Sequence, residues 1–375
     1  MKTRGTILLV CSFNILLRLA IYFCFTFFRF DKIRQRGISV YDTFLFMKDS
    51  VLCFLYKFIK KKIIFLPEEV AEYARVNLGE SPETRLKSIQ DLRDMIYERG
   101  ECTPQRMDDA FLLRFLRARY FIVERAHRLF VNYCTFKEDN PEIQNNVEPL
   151  ALRFIGDANV LSVPPYRDQD GRRWMMYRIG NWDPSAYSVD ELFKATLVVL
   201  ELGIMEQRAQ VLGGVCLFDF ENLSMQHAWQ VTPSVASKVV QLMVTCFPIK
   251  THALHIINQS WVFDTIYSMF KPLLDDRMRQ KIFFHGNNME SLHKHVSPKY
   301  LPERYGGTRP DVSYTLWLDS LKSKPTIVKE MESLGYKFDP KDINETKFDV
   351  ESKKITNDTP VDEIKEIDKS IAIKE

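Results

Sequence analysis

Apolar positions along this chain change their spacing several times, and each change marks a different kind of element. Residues 7–28 form an almost unbroken apolar run, interrupted by Asn14 and Arg18, and are long enough to cross a bilayer. Lys2 and Arg4 precede the run; Arg29, Lys32, Arg34 and Arg36 follow it. Three readings stand open. A signal peptide needs small residues at a cleavage site, and none closes this run. A signal anchor or membrane hairpin tolerates Arg18 by letting it snorkel. An upstream extension would have no part in the working protein. Residues 40–67 mix Phe44, Phe46, Leu52, Phe54, Leu55 and Phe58 with Lys57, Lys60, Lys61 and Lys62, the pattern of a basic amphipathic helix at a membrane surface.

Between residues 67 and 140 the spacing becomes helical. Glu83, Leu86, Ile89, Leu92, Ile96 and Tyr97 recur every three to four residues. Asp108 or Asp109 caps a second helix, in which Phe111, Leu112, Phe115 and Leu116 form an apolar stripe beside Arg114, Arg117 and Arg119. A third helix is predicted over 123–136, so three short helices make a small bundle. From residue 152 strands and helices alternate. The strands are predicted at 173–179, 215–220, 253–258 and 281–284, each short and apolar or β-branched. The helices are predicted at 189–206, at 233–246, and at 262–270 running on through 275–279. This alternation predicts an α/β domain, a mainly parallel sheet with helical cover, over about 150–310. A C-terminal helix is expected within 311–337, and a disordered charged tail over 338–375.

Composition sharpens the picture in two ways. Phenylalanine occurs 27 times against 14 glycines, which suits a membrane segment or a wide apolar cavity with bulky walls. The net charge of +3 is uneven: from Phe338 onward there are eleven acidic and seven basic residues, so the rest carries +7. A mildly basic body points to an anionic surface as partner. The seven cysteines are scattered without a CxxC, as expected of reduced thiols in a cytosol-facing protein.

Catalytic chemistry finds little support. The chain has neither a GxGxxG after a strand nor a GxxxxGK[ST], so nucleotide phosphates lack their usual glycine cradle. Gly213 and Gly214 precede a strand and read as a turn into it. His252 and His255 would face opposite sides of a strand, and His293 and His295 have no acidic or cysteine cluster beside them, so no metal site is expected. Ser224, Asp219 and His227 lie close in sequence without a nucleophile elbow; Asp219 and Glu221 read as a strand end fixing a turn at Asn222. Two apolar stripes carry both a plain and a functional reading. Phe263, Ile266, Met269, Phe270, Leu273 and Leu274 lead directly into Arg277, Arg279 and Lys281. They read either as a core helix with a solvated end or as a ligand cover whose basic edge meets phosphate head groups. Val239, Leu242 and Met243, with Phe247 and Ile249 beyond, read as core filler or as the wall of a lipid cavity.

Several blocks occur together and in order: FLLRFLRAR from Phe111, VCLFDFENLS from Val215, QVTPSVA from Gln230, FPIK from Phe247, HIIN from His255, FKPLL from Phe270, HGNN from His285 and LPERYGG from Leu301. This set, spanning about 67–335, resembles the CRAL-TRIO lipid-binding family, in its tocopherol- and retinaldehyde-carrying branch. The resemblance implies a helical bundle followed by an α/β lipid cage, without enzymatic activity and without a cofactor other than a bound hydrophobic lipid of tocopherol-, retinoid- or similar isoprenoid type. It implies cavity walls at Phe193, Thr196, Leu200, Phe218, Val239, Leu242, Met243, Phe247, Ile249 and Leu254, and a mobile gate at Phe263, Ile266, Met269, Phe270, Leu273 and Leu274. A phosphoinositide cleft would map to Lys250, Lys271, Arg277 and Lys281, with Arg114 or Arg117 from the bundle. His252 stands where the tocopherol carrier has an arginine, and Leu200 where it has a small hydroxyl residue. The partners implied are the lipid itself and phosphoinositide-bearing membranes, with no nucleic acid; protein partners stay open. The expected location is cytoplasmic and peripherally membrane-associated. A membrane-tethered lipid sensor using residues 1–62 as anchor is the alternative.

Overall fold

The computed structural model describes residues 66–322 and 324–339; the expectations for residues 1–65 and for the charged tail from 340 lie outside the described residues. The bundle comprises four helices: α1 (Glu68–Leu78), α2 (Pro82–Arg99), α3 (Asp109–Ala118) and α4 (Val123–Asp139). Each start has a local cause. Ser81 and Thr84 form a capping box with Pro82 in the first turn, and Asp108 accepts the Phe111 N–H. Gly79 and Gly100 end α1 and α2 in the left-handed conformation. The unanticipated helix, α1, buries only the narrow stripe Val70, Ala74 and Leu78, too thin a signal to stand out in the sequence. In α2 the buried stripe is Ile89, Leu92 and Ile96, whereas Leu86 and Tyr97 are 67% and 71% exposed. Helix α3 is different: every residue from Phe111 to Ala118 is buried. Phe111, Phe115, Phe130 and Tyr133 pack edge-on there, with ring centroids 4.9–6.4 Å apart.

The second part is built on a five-stranded sheet in sequential order: β1 (Leu161–Ser162), β2 (Arg173–Arg178), β3 (Gly214–Asp219), β4 (Thr251–Ile257) and β5 (Ile282–Gly286). The pair β1–β2 is antiparallel and the other pairs are parallel. All four predicted strands appear within two residues of their expected ends. The two-residue β1 is too short to leave a periodic signal. Crossovers supply the cover: α5 (Val189–Met205), α6 (Gln207–Leu212), α7 (Met225–Gln230), α8 (Pro233–Val240), α9 (Trp261–Phe270) and α10 (Asp276–Arg279). One face of the sheet buries Trp174, Met176, Val215, Leu217, Ala253 and Ile257 against Leu292, Val296, Leu301 and Tyr305. The other face, with Met175, Cys216, Phe218 and Leu254, packs under α8, α9 and α10. Burial on both faces is why these strands read as continuous apolar runs.

Three helical expectations are corrected. The stretch 262–279 is not one helix. Pro272 supplies no N–H and restricts the residue before it, so α9 ends at Phe270, a 3-10 turn covers Lys271–Leu273, Leu274 is extended, and Asp275 caps α10 through the Met278 N–H. The helix at 233–246 changes character midway, because Gln241–Cys246 is a π turn. The C-terminal helix is two, α11 (Thr315–Lys322) and α12 (Pro325–Glu332), with Pro325 opening the second.

Candidate functional site

An apolar cavity of about 80 Å³ lies between the covered face of the sheet, α5 and the π turn. Alternate residues of β2, Met175 and Tyr177, face it with Cys216 from β3; Thr196, Val199 and Leu200 come from α5, and Leu242 and Met243 from the π turn. Ile249, Lys250 and Thr251 close one end. Its lining includes a hydroxyl pair, Tyr177 Oη and Thr196 Oγ1, 2.9 Å apart, besides Arg173, Lys250 and Thr251. Burial raises the Tyr177 pKa, with Cys216 adding, so the phenol stays a proton donor. Of the ten wall positions implied by the sequence, Thr196, Leu200, Leu242, Met243 and Ile249 line this space. The other five are not among the lining residues. Phe218 stacks on Tyr177 at 4.9 Å, Phe247 reaches the bundle at Tyr133, and Phe193 carries the Lys238 ammonium over its ring. Val239 packs into the main core, and Leu254 lies with Leu274 and Met278.

Helix α9 covers the neighbouring part of the same face. Phe263 and Ile266 are buried, and Phe263 packs against Phe220, Tyr267 and Phe284 at 4.7–6.1 Å. Met269 and Phe270 are half-buried, Leu274 is buried and Leu273 is 41% exposed. None of the six is among the cavity-lining residues. They reach it indirectly, because Leu274 and Phe270 share a cluster with Cys216 and Met243, which do line it. At the start of α9, Trp261 is 69% exposed, as is Trp229 on the adjoining α7 at 72%.

Basic groups gather beside the lysine end of the cavity. Lys281 Nζ donates to the Thr251 carbonyl at 2.7 Å, and Lys250 Nζ donates to that of Val211. The Lys250 ammonium also lies over the rings of Tyr120 and Tyr73, at 5.4 and 5.9 Å. Burial, then the repulsion of Lys281 and Arg172, lowers Lys250 to about 8. Burial, then Arg119, lowers Lys281, with Arg277 adding to it. Lys271 is exposed, and the Arg277 side chain is 85% exposed with Asp275 at 3.1 Å.

Comparison with known proteins settles the family. The CRAL/TRIO domain model matches residues 158–307, and the model of the CRAL/TRIO N-terminal domain matches 83–132. The human alpha-tocopherol transfer protein-like protein is 36% identical over 266 residues, 71% of this chain and 78% of that one. The chain belongs to the CRAL/TRIO family. Clavesin-1 of Xenopus laevis is also 36% identical, over 68% of this chain and 78% of its own, and Clavesin-2 of Rattus norvegicus is 33% identical over 68% and 79%.

Within this CRAL/TRIO frame the two bundle arginines expected at the basic cleft are both buried and internally paired. Arg117 is 1% exposed and forks onto Glu80 through two 2.8 Å bonds, with a third bond to Gln210 at 2.7 Å. Arg114 is 4% exposed and pairs with Glu330 at 2.5 Å. Both therefore point into the protein, because α3 is buried all round. Arg119, one residue past the helix, has its pKa lowered by burial, with the charge of Arg277 adding to the shift. Its guanidinium donates to the carbonyls of Val244 (3.1 Å) and Ala118 (3.2 Å). The sequence signal was available: helix termini escape burial more easily than helix interiors. Ser224 Oγ and His227 Nδ1 do lie 2.8 Å apart, but His227 Nε2 meets the Trp182 carbonyl, and Asp219 instead accepts from Tyr305 and Asn258. Ser224 caps α7 with His227 at its third position, and Asn222 takes the positive φ of the turn. The three groups serve local structure and form no relay. Among the described residues no His, Cys, Asp and Glu group could hold a metal ion, and no helix is long and apolar enough to cross a membrane.

Proposed function

We propose that this protein binds one hydrophobic lipid in the cavity between the sheet and the π turn, and transfers it between membranes, releasing it where phosphoinositides concentrate. The observation that carries the reading is the adjacency of an apolar cavity with a hydroxyl pair to a cluster of cations. An apolar chain needs few polar contacts, since each buried CH₂ contributes about 0.8 kcal/mol. The Tyr177–Thr196 pair favours a ligand with one hydroxyl or carbonyl, such as a tocopherol- or retinoid-like isoprenoid. A cavity of about 80 Å³ is below the roughly 300 Å³ at which pockets begin to enclose whole small ligands, so loading must widen it. The π turn and α9 are the walls suited to move. The exposed Trp229 and Trp261 suit the membrane interface, where an amphipathic ring is at home, and the cations of the cleft suit anionic head groups.

Native mass spectrometry of protein isolated from its own cells, followed by lipid identification, tests the reading. One co-purifying isoprenoid-type lipid per chain is expected, and its displacement in Met243→Trp. In a solid core this overpacking would cost about 1–3 kcal/mol; in a widening cavity the melting temperature should fall less and lipid occupancy should drop. Full lipid occupancy in the variant, or a large stability loss without any change in lipid, sinks the assignment.

A further inference from the structure

The lining of the cavity runs across the sheet, from Val163 just past the edge strand β1 to Thr251 at the start of β4. One of its walls belongs to none of the sheet's crossovers. Trp317, half-buried on the C-terminal helix α11, lines the same space. It lies past residues 158–307, the reach of the CRAL/TRIO domain model, and is not among the wall positions implied by the sequence. The ties of α11 explain why it stands there. Ser162 Oγ in β1 donates to the Val312 carbonyl at 2.7 Å, which brings the chain entering α11 alongside the edge strand. Ser313 Oγ donates to the Gly156 carbonyl at 2.8 Å, Thr315 Oγ1 to the Asp157 carboxylate at 2.9 Å, and Tyr314 Oη to the Leu152 carbonyl at 3.2 Å. Gly156 permits so close an approach: a Cβ there would lie 2.5 Å from Thr315 Oγ1 and 2.5 Å from the Tyr314 ring. Tyr314, Leu318 and Leu321 recur at helical spacing and are all buried, which fixes the rotation of α11.

We propose that Trp317 sets the size of the lipid this protein carries, as the fixed wall of its cavity. This assignment rests on the lipid-carrier reading and names which ligands that site admits. The walls of the cavity differ in kind. Gln241–Cys246 is a π turn, irregular backbone of the sort found at functional sites, whereas α11 is a regular helix held by the four bonds above and by buried anchors. Widening on loading therefore falls to the side of the π turn, and the ligand meets Trp317 as a stop. An indole fills more space than any other side chain could at that position. With it in place the cavity admits a compact isoprenoid and rejects a longer homologue, because forcing extra methylenes against packed walls is costly. Truncation leaves an apolar space, and such a space stays dry and takes apolar guests. A longer isoprenoid, and not water, is thus what fills the room that the indole vacates. The ligand class follows from a wall contributed by the C-terminal helix and not from the sheet and its crossovers alone.

Competition against fluorescent cis-parinaric acid by geraniol, farnesol and geranylgeraniol, each longer than the last by isoprene units, reads the size limit in the full-length chain. Trp317→Ala should raise the affinity for geranylgeraniol relative to farnesol by about tenfold, the scale on which an apolar pocket discriminates a small change in chain length. Trp317→Phe keeps a smaller ring and should shift the ratio the same way by less. Leu316→Ala, beside Trp317 but exposed, should leave the ratio as it is. Thermal melts record what each change costs the fold, and should Trp317→Ala fail to fold, Trp317→Phe decides alone. A ratio unchanged in the Trp317 variants, while the parent binds the three alcohols, overturns the proposal and leaves the carrier reading standing. An equal shift in Leu316→Ala also overturns it, by assigning the effect to loosening of α11. So does a uniform loss of affinity for all three alcohols, since a purely structural tryptophan would not sort ligands by length. Absent uptake of cis-parinaric acid and of every alcohol by the parent refutes the carrier reading, and the size-setting wall falls with it.

Discussion

Arg117 and Glu80 are each about 1% exposed at the side chain, and Arg85 adds a second guanidinium to the same carboxylate at 2.8 Å. A charge so far from water tolerates its position only while it is paired. Glu80→Gln should therefore lower the free energy of unfolding by about 3–5 kcal/mol, the usual consequence of stranding one partner of a buried pair. Urea denaturation checks this, and the double change with Arg117→Met should recover part of the loss. If Glu80→Gln costs no more than an exposed pair, about 1 kcal/mol or less, the pair is not the clamp between α1, α3 and α6 that its geometry implies. A similar distinction separates Arg119 from Arg114 and Arg117. All three are arginines on the same short segment, and their partners alone divide them into a cation bonded to the π turn and two internal struts.

At the scale of elements, the pairing of β4 with β5 carries an acid-sensitive pair. His255 Nδ1 and His285 Nε2 are 2.9 Å apart, His285 Nδ1 meets Ser291, and His255 is stacked on Trp174 and Phe283. Burial, then the neighbouring His285 and His295, lowers His255 to about 3; burial, then His295, lowers His285 to about 4. In the unfolded chain both titrate near 6.5. Below that pH the unfolded state binds more protons, so the stability these histidines permit is present above pH 6.5 and is lost as pH falls toward 4. Melting temperature measured across pH 7 to 4 should show that decline, and His285→Asn should reduce its slope by about one proton. An unchanged slope would mean that carboxylates elsewhere dominate the acid limb. The pair sits on the face of the sheet away from the cavity, so ligand occupancy should not follow this titration at mild pH.

At the scale of the whole molecule, the cations divide into two sets with different work. Lys271 and Arg277 are exposed and tied to little, whereas Lys281 and Lys250 are partly buried and bonded to the wall. The exposed set should govern encounter with an anionic membrane. Lys271→Ala with Arg277→Ala should weaken co-sedimentation with phosphoinositide vesicles by about 1 kcal/mol per residue at low ionic strength. The difference should shrink with added salt, and the melting temperature should hardly move. Equal co-sedimentation of the double variant and the parent at low salt would remove these two residues from the membrane-facing surface.

Four of the five strands and the starts of several helices are determined by the sequence alone, because their causes are local. Ser81, Asp108 and Asp275 cap helices with their own hydroxyl or carboxylate, glycines close α1 and α2, and apolar runs mark strands buried on two faces. The ordered blocks from Phe111 to Gly307 carry the family as well. Tertiary structure decided which residues share a site. The face of β2 presenting Met175 and Tyr177 to the cavity is fixed by register with β3 and by what α5 and the π turn lay over it, and a strand buried on both sides does not reveal that in its own pattern. Arg114 and Arg117 carry the same local signal as a surface cation; Glu330 and Glu80, hundreds and tens of residues away in the chain, are what draw them inward. Local rules act over a turn of helix or a pair of strand positions, whereas a cavity and a cleft are made where distant elements meet.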